Sequence, residues 1–276
     1  MNLQAHSGFA PDLVQWLLDR VSWHSNGLTV LGISGLQGSG KSTLAGQLVA
    51  AAQQAGKQAA TLSLDDVYLT AAQRRQLAAD IHPLLATRGA PGTHDLALLH
   101  RVLDALRAGR PTALPRFDKL GDDRLPEAVW PRIEQPLDLL VVEGWMLGAR
   151  AQDDPALLTP LNALERDDDP DGQWRRWCNT RLADDYPALW QRLDQLVFLQ
   201  PPGWEVVQRW RSEQETSLAR QQGRRGMTAA ALERFIAHYE RVSRQLLVDL
   251  PTLCDIRIEL DQQRRVRARH VGGADG

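Results

Sequence analysis

The chain has 276 residues, 43% of them hydrophobic, with a formal net charge of −2 at neutral pH and a pI near 6.4. That length suits one large α/β domain with a sizeable core better than two small ones, and the charge balance gives no electrostatic case for nucleic acid, which favours a basic surplus. Cys178 and Cys254 are too few for a disulfide framework and lack metal-ligand spacing, and neither a secretion signal nor a membrane-length apolar run is seen, so a cytoplasmic protein with no membrane partner is expected.

Residues 12–23 carry Leu13, Leu17 and Val21 at four-residue spacing with Val14 and Leu18 beside them, which predicts an amphipathic helix leading into the first strand. From Leu28 an apolar, β-rich run reaches Gly35. There Gly35, Gly40, Lys41 and Ser42 complete the G-x-x-x-x-G-K-[ST] pattern, immediately before the apolar positions Leu44, Leu48 and Val49. A strand turning into a helix through such a loop cradles a nucleotide triphosphate. Loop N–H groups and the first helical turn face the phosphates, Lys41 brings a full charge to the β and γ positions, and Ser42 offers a hydroxyl to Mg2+. The nucleotide-binding set is therefore Gly35, Gln37, Gly38, Ser39, Gly40, Lys41, Ser42 and Thr43.

The following helix should stop at Gly56, and residues 58–64 read as a second strand buried in a parallel sheet. It runs into Asp65-Asp66-Val67-Tyr68, and ligands of a doubly wound sheet sit beyond the carboxyl ends of its strands. The two carboxylates thus either face the γ-phosphate or cap the turn before Thr70, and the phosphate-loop context favours the first reading. Residues 73–88 look helical until Gly89-Ala90-Pro91-Gly92-Thr93 breaks the pattern. Thr93 or Asp95 then caps a helix whose apolar face is Leu96, Leu99, Leu103 and Leu106, and His94 reads as an exposed loop residue.

Residues 111–136 hold prolines at 111, 115, 126, 131 and 136 among dense charges, including Pro115-Arg116-Phe117-Asp118-Lys119 and Asp122-Asp123-Arg124. Such a stretch is either a solvated loop or a substrate wall, and a long loop inside a compact domain is more often functional. Residues 137–142 form a third strand ending in Glu143, which fits the second acidic partner of Mg2+ in phosphate-loop folds. Residues 148–186 carry no legible chemistry, and Asp167-Asp168-Asp169-Pro170-Asp171-Gly172 reads as an exposed acidic loop without calcium-loop spacing.

Residues 195–200 are the next strand. The helix over 204–222 carries Arg209, Arg211 and Arg220, followed by Arg224 and Arg225, and is either a solvated face or a cover over the triphosphate. Residues 227–248 form a long helix opened by Thr228, with Leu232, Phe235, Ile236, Tyr239, Val242 and Leu246 on its apolar side. Residues 254–260 alternate strictly, as a last strand near a sheet edge would, and the tail beyond 261 should fray. The nine tryptophans fall mostly after Trp130 and suit the core better than a partner surface.

Several stretches together resemble the phosphoribulokinase, uridine kinase and pantothenate kinase group of P-loop kinases, and more closely the D-glycerate 3-kinase family. They are residues 32–43, Ser63-Leu64-Asp65-Asp66-Val67-Tyr68-Leu69-Thr70, Arg88-Gly89 with Gly92-Thr93-His94-Asp95, residues 115–119, Glu143-Gly144-Trp145-Met146-Leu147-Gly148, and Trp210-Arg211 with Gly226-Met227. They span roughly residues 30 to 250, and the Glu143–Gly148 and Gly92–Asp95 stretches are more specific than the phosphate loop.

The resemblance implies an α/β, three-layer P-loop kinase fold with a mostly parallel central sheet flanked by helices. One domain would span 1–276, with a helical lid about 203–228 and a frayed tail about 264–276. It implies ATP and Mg2+, and transfer of the γ-phosphoryl group to a hydroxyl of a small acceptor, D-glycerate to 3-phosphoglycerate being the leading case. The first Asp of the D-x-[FV]-Y run, base or orienter of the acceptor hydroxyl, falls on Asp65, with Asp66 as fallback. Lys41 and Glu143 join Asp65 in catalysis, Ser42, Asp65 and Glu143 hold the metal, and Arg211 reaches the nucleotide. Tyr68, Arg88, His94, Asp95, Arg116, Asp118 and Lys119, with Asp66, line the acceptor side. Val67 stands where relatives more often have Phe, and the chain is shorter than the plant proteins between Lys119 and Trp130. The alternatives are a uridine or pantothenate-type kinase with another acceptor, or a non-catalytic ATP-dependent regulator, while a GTPase would need an N-K-x-D run. A homo-oligomer is compatible with everything above.

Overall fold

The computed structural model describes residues 8–222 and 228–272. Arg224, Arg225, Gly226 and Met227, with the side chain of Arg220, lie outside the described residues. In chain order the helices and strands are α1 (Pro11–Leu18), β1 (Thr29–Gly35), α2 (Lys41–Gln54), β2 (Ala59–Ser63), α3 (Ala71–Asp80), α4 (Leu96–Arg107), β3 (Thr112–Ala113), β4 (Phe117–Asp118), β5 (Asp123–Arg124), β6 (Arg132–Ile133), β7 (Leu139–Gly144), α5 (Ala163–Asp168), α6 (Gln173–Asp184), α7 (Pro187–Trp190), β8 (Gln195–Gln200), α8 (Val206–Gln222), α9 (Ala229–Leu253), β9 (Ile256–Leu260) and β10 (Val266–Val271).

Six strands form the central sheet in the order β10-β9-β8-β1-β7-β2, every neighbour parallel except β10 against β9. Strands covered on both faces need apolar side chains on both, so β1 and β7 are buried along their whole length. Leu140, Val142 and Phe198 point into a core shared with α4, α7 and α9, and Leu139, Val141 and Val197 into a second core with α1 and α2. The result is the three-layer, mostly parallel α/β arrangement. A third, smaller cluster joins Leu84, Leu85 and Ala90 to Leu164, Trp174 and Cys178.

The register brings the strand ends together. Glu143 pairs in register with Ile33 of β1 and Ser63 of β2, and Gly35 with Leu199 of β8. The phosphate loop, the residues after Ser63, and Glu143 therefore share the carboxyl edge of the sheet, where the strand order reverses.

Several local expectations are corrected. The tail does not fray from 264: β10 runs antiparallel to β9 and forms the sheet edge, since Val266–Val271 can satisfy its ladder on that strand. α3 ends at Asp80 rather than 88, because His82 precedes Pro83, which disfavours a helical conformation there, and a 3-10 turn over Pro83–Ala86 follows. α1 stops at Leu18, although Val21 is still buried by the turn beyond it. The acidic stretch 167–171 is not wholly exposed. Asp169 is fully buried, accepts from the N–H groups of Trp174 and Arg175 at the start of α6, and pairs with the Arg175 guanidinium at 2.9 Å. Trp145, Trp174 and Trp210 are core residues, while Trp23 is exposed. Among the described residues no helix is long and apolar enough to cross a membrane.

Candidate active site

β1 delivers the chain into the loop 35–40, and α2 begins at Lys41, so the loop N–H groups and the helix N-terminus converge on one hollow. Gly38 is left-handed at φ +77, and a Cβ there would lie 2.7 Å from the Trp210 Cβ. Only glycine lets the loop pass this closely beneath α8. The Lys41 ammonium donates to the Leu36 carbonyl at 3.0 Å. Burial pushes its pKa down from the ordinary lysine value, opposed by the charges of Glu143 and Asp65, while Lys119 and Arg211 add to the depression. Five charged groups thus act on one hollow.

The Ser42 hydroxyl donates to Glu143 Oε1 at 3.1 Å. A hydroxyl and a carboxylate in contact at the loop mouth are the oxygen donors Mg2+ takes, since it keeps several waters and binds few protein carboxylates beside substrate phosphates. Among the described residues no three His, Cys, Asp or Glu side chains close on a common point. The Gln37 amide, the Ser39 hydroxyl, His94 Nε2 and Trp145 Nε1 are buried without a protein partner. Buried polar atoms are normally satisfied, and the two orphans within the loop itself, on Gln37 and Ser39, suit a polar ligand.

Asp65 and Asp66 sit in a 3-10 turn over Leu64–Val67 at the end of β2. Neither is a cap: Ser63 caps that turn, and Thr70 caps α3 through a capping box with Gln73. Asp65 Oδ1 accepts from the Tyr68 hydroxyl at 2.8 Å and Oδ2 from the Lys119 ammonium at 2.7 Å. Burial works against its charge, but Lys119, Tyr68 and Lys41 outweigh it and hold the carboxyl well below the usual carboxylate range. Lys119 is raised in turn, chiefly by Asp65. Asp66 differs: its oxygens take the Phe117 N–H and the Arg116 guanidinium, both at 3.1 Å, and burial raises its pKa. It is a fastener for the 115–117 segment.

Backbone bonds zip the 92–95 stretch to the same turn, Leu69 N–H to the Thr93 carbonyl and Asp95 N–H to the Val67 carbonyl. His94 is therefore buried rather than exposed, 4.7 Å from the Tyr68 ring and 2.7 Å from the Tyr186 hydroxyl, and burial lowers its pKa to about 4. Asp95 caps α4 with one oxygen and pairs with Arg124 through the other at 2.8 Å. Arg88 lies between the Phe117 and Phe235 rings and pairs with Asp122. The buried Arg211 guanidinium sits 5.7 Å from the centre of that same Phe235 ring, so this side of α8 is not a solvated face. Arg209 is exposed on the opposite side and donates to the Gln262 carbonyl.

The fold thus gathers Lys41, Ser42, Glu143, Asp65, Tyr68, Lys119, His94, Arg88 and Arg211. It leaves Asp118 exposed and bonded to its own hairpin at Leu120 N–H, Thr43 exposed, and Asp66 and Asp95 occupied by structural bonds. Sequence reasoning passed over Arg74, buried to 1% exposure, which holds the 117–124 hairpin by bonds to Asp122 and to the Leu69 and Ala86 carbonyls. It also treated Tyr239 as apolar packing, although its hydroxyl donates to the Arg88 carbonyl at 3.1 Å. Tyrosine on an otherwise apolar helix face was the available signal for the second, and a charged residue within α3 the only one for the first.

Comparison with known proteins agrees with the fold. The Phosphoribulokinase / Uridine kinase family model matches residues 30–151. An uncharacterized kinase of Schizosaccharomyces pombe is 36% identical over 219 residues, covering 76% of this chain and 78% of that protein. The chloroplastic D-glycerate 3-kinase of Arabidopsis thaliana is 31% identical over 242 residues, 81% of this chain, which spans only 50% of the plant protein. A solved D-glycerate 3-kinase from Cryptococcus neoformans superimposes with a TM-score of 0.75 at 28% identity, over 94% of this chain and 97% of that one.

Proposed function

This chain belongs to the phosphoribulokinase/uridine kinase family of P-loop kinases, among the D-glycerate 3-kinase-like members, and from that premise we propose that it phosphorylates D-glycerate to 3-phosphoglycerate with ATP. The observation that carries the acceptor side is Asp65 held between the Tyr68 hydroxyl and the Lys119 ammonium, in electrostatic reach of Lys41. A carboxylate acceptor needs cations, and Lys119, Arg88, Arg116 and Arg124 surround the turn that carries Asp65.

In this reading the loop residues 35–43 and Arg211 bind the triphosphate, and Lys41 neutralises charge on the transferred group. Ser42 and Glu143 would hold Mg2+, which would supply further neutralisation of the phosphate charge. Asp65 accepts a hydrogen bond from the acceptor hydroxyl through a free lone pair and aims its oxygen at the γ-phosphorus. As the new O–P bond forms, the bond to the bridging oxygen breaks, ADP leaves, and the hydroxyl proton passes to Asp65 and on to solvent. A carboxyl held so acidic is a weak base, so its contribution is orientation of a nucleophile that deprotonates late, as a loose transition state allows. Lys119 and Arg88 bind the acceptor carboxylate, and His94, kept neutral by burial, bonds a hydroxyl.

The test is turnover by purified chain with Mg-ATP and, separately, D-glycerate, uridine, pantothenate and ribulose 5-phosphate. ADP release stimulated by D-glycerate alone, with 3-phosphoglycerate identified by NMR, is the expected result. Stimulation by another acceptor in place of glycerate replaces the substrate, and ADP release stimulated by none of them rejects the glycerate reading.

A further inference from the structure

Arg264 occupies the turn between β9 and β10 and is, with Asp122, one of two non-glycine residues with positive φ among the described residues, at φ +64. The left-handed region disfavours any side chain with a Cβ, and hairpin turns fill it with Gly or Asn. The turn itself makes no use of the arginine head group. Asp261 N–H bonds the Arg265 carbonyl at 2.9 Å, Arg264 N–H the Asp261 carbonyl at 3.0 Å, and Asp261 Oδ1 takes Gln263 N–H at 2.8 Å and Arg265 N–H at 2.9 Å.

The guanidinium works elsewhere. Its Nε donates to the Gly38 carbonyl at 2.6 Å, Nη1 to Glu213 Oε2 at 2.6 Å and Nη2 to the Trp210 carbonyl at 3.3 Å, and it lies 5.0 Å from the centre of the Trp210 ring. With 14% of the side chain exposed, it is enclosed between the phosphate loop and α8. The Gly38 carbonyl belongs to the Gly38–Ser39 peptide, whose N–H donates to the Leu36 carbonyl at 3.2 Å, the oxygen that also takes Lys41 Nζ. A peptide is planar and rigid, so a group that holds the carbonyl also sets the direction of the N–H. Here one end of that plane is held by the loop and the other by a residue 226 positions away.

We propose that Arg264 is a positioning residue for the nucleotide: its guanidinium locks the Gly38–Ser39 peptide, whose N–H closes the loop on the Leu36 carbonyl, and ties the loop to α8, so that the hollow keeps the shape the phosphates need. A fixed fork of donors meets the carbonyl, the carboxylate and the Trp210 face together, which a lysine cannot do. The strained turn conformation is retained because the side chain is needed at the loop.

The proposal rests on residues 35–42 being the nucleotide site, and calorimetric titration with Mg-ADP separates the two claims without any acceptor. The wild-type chain should bind Mg-ADP, and absence of binding overturns the nucleotide-site reading itself. Arg264→Gly relieves the backbone and removes the head group, so it should melt no lower than wild type within a few degrees yet bind Mg-ADP about 10-fold more weakly. Added methylguanidine should restore part of that loss and leave the wild type unchanged, and the KM for the acceptor should not move. A folded Arg264→Gly protein with wild-type Mg-ADP affinity overturns the role. Should that variant not fold, Arg264→Lys decides by the same titration: weaker binding supports the positioning role, and unchanged affinity overturns it.

Discussion

Asp65 has two partners of different origin. Tyr68 anchors it to its own turn, while Lys119 arrives from the 117–124 hairpin, and both keep it charged. Asp65→Asn should therefore leave Mg-ADP binding nearly intact while lowering kcat by about 10²- to 10⁴-fold, the range for a positioned acid–base group. Calorimetry beside steady-state turnover checks it, and unchanged turnover would reject the assignment. Because its folded pKa is depressed, the stability contributed by its charge is present above the ordinary carboxylate pKa and is lost only as pH falls through the lower folded value. Turnover should accordingly show no acid limb from this group over about pH 5 to 8.

At the scale of elements, the 89–95 stretch is a plug between α3, α9 and the turn carrying Asp65. A Cβ on Gly89, at φ +118, would stand 2.1 Å from the Tyr239 hydroxyl. Gly89→Ala combines overpacking with a disfavoured backbone, and a loss of about 3 kcal/mol is expected, read as a lower denaturant midpoint at unchanged slope. The buried Asp169–Arg175 pair at the start of α6 behaves differently, because removing one partner strands the other. Asp169→Ala should cost about 3 to 5 kcal/mol in the same measurement.

For the whole molecule, two buried histidines link stability to pH. Burial lowers both His94 and His238 to about 4. Between about pH 6.5 and that value the unfolded chain binds protons that the folded chain refuses, so stability rises with pH across the window and falls as the solution is acidified. Melting temperature should drop from pH 7 to pH 5 more steeply than in His238→Asn, and equal slopes would contradict the linkage. Mg-ADP binding should raise stability by about 2.7 kcal/mol at 100 times its Kd, a shift readable by thermal melting whatever the acceptor is.

The sequence by itself determined the inner strands β1, β7 and β8, because both-face burial writes itself as continuous apolar runs, and it set out the phosphate-loop pattern of Gly35–Ser42, because turn, charge and hydroxyl lie within eight consecutive residues. It also placed Asp65 and Glu143 at strand ends, which is a local property. Only the tertiary structure decided which carboxylate is available, since Asp65 and Asp66 differ through Lys119 and Phe117, 54 and 51 residues away. The same holds for His94, buried by Tyr68 and Tyr186, and for Val266–Val271, read as part of a loose tail yet held as β10. The phosphate loop shows the division most sharply. Its eight residues carry the pattern of a triphosphate cradle, but the partner that grips its Gly38 carbonyl lies 226 positions on, and no local pattern encodes a contact made only when β9 and β10 join the sheet.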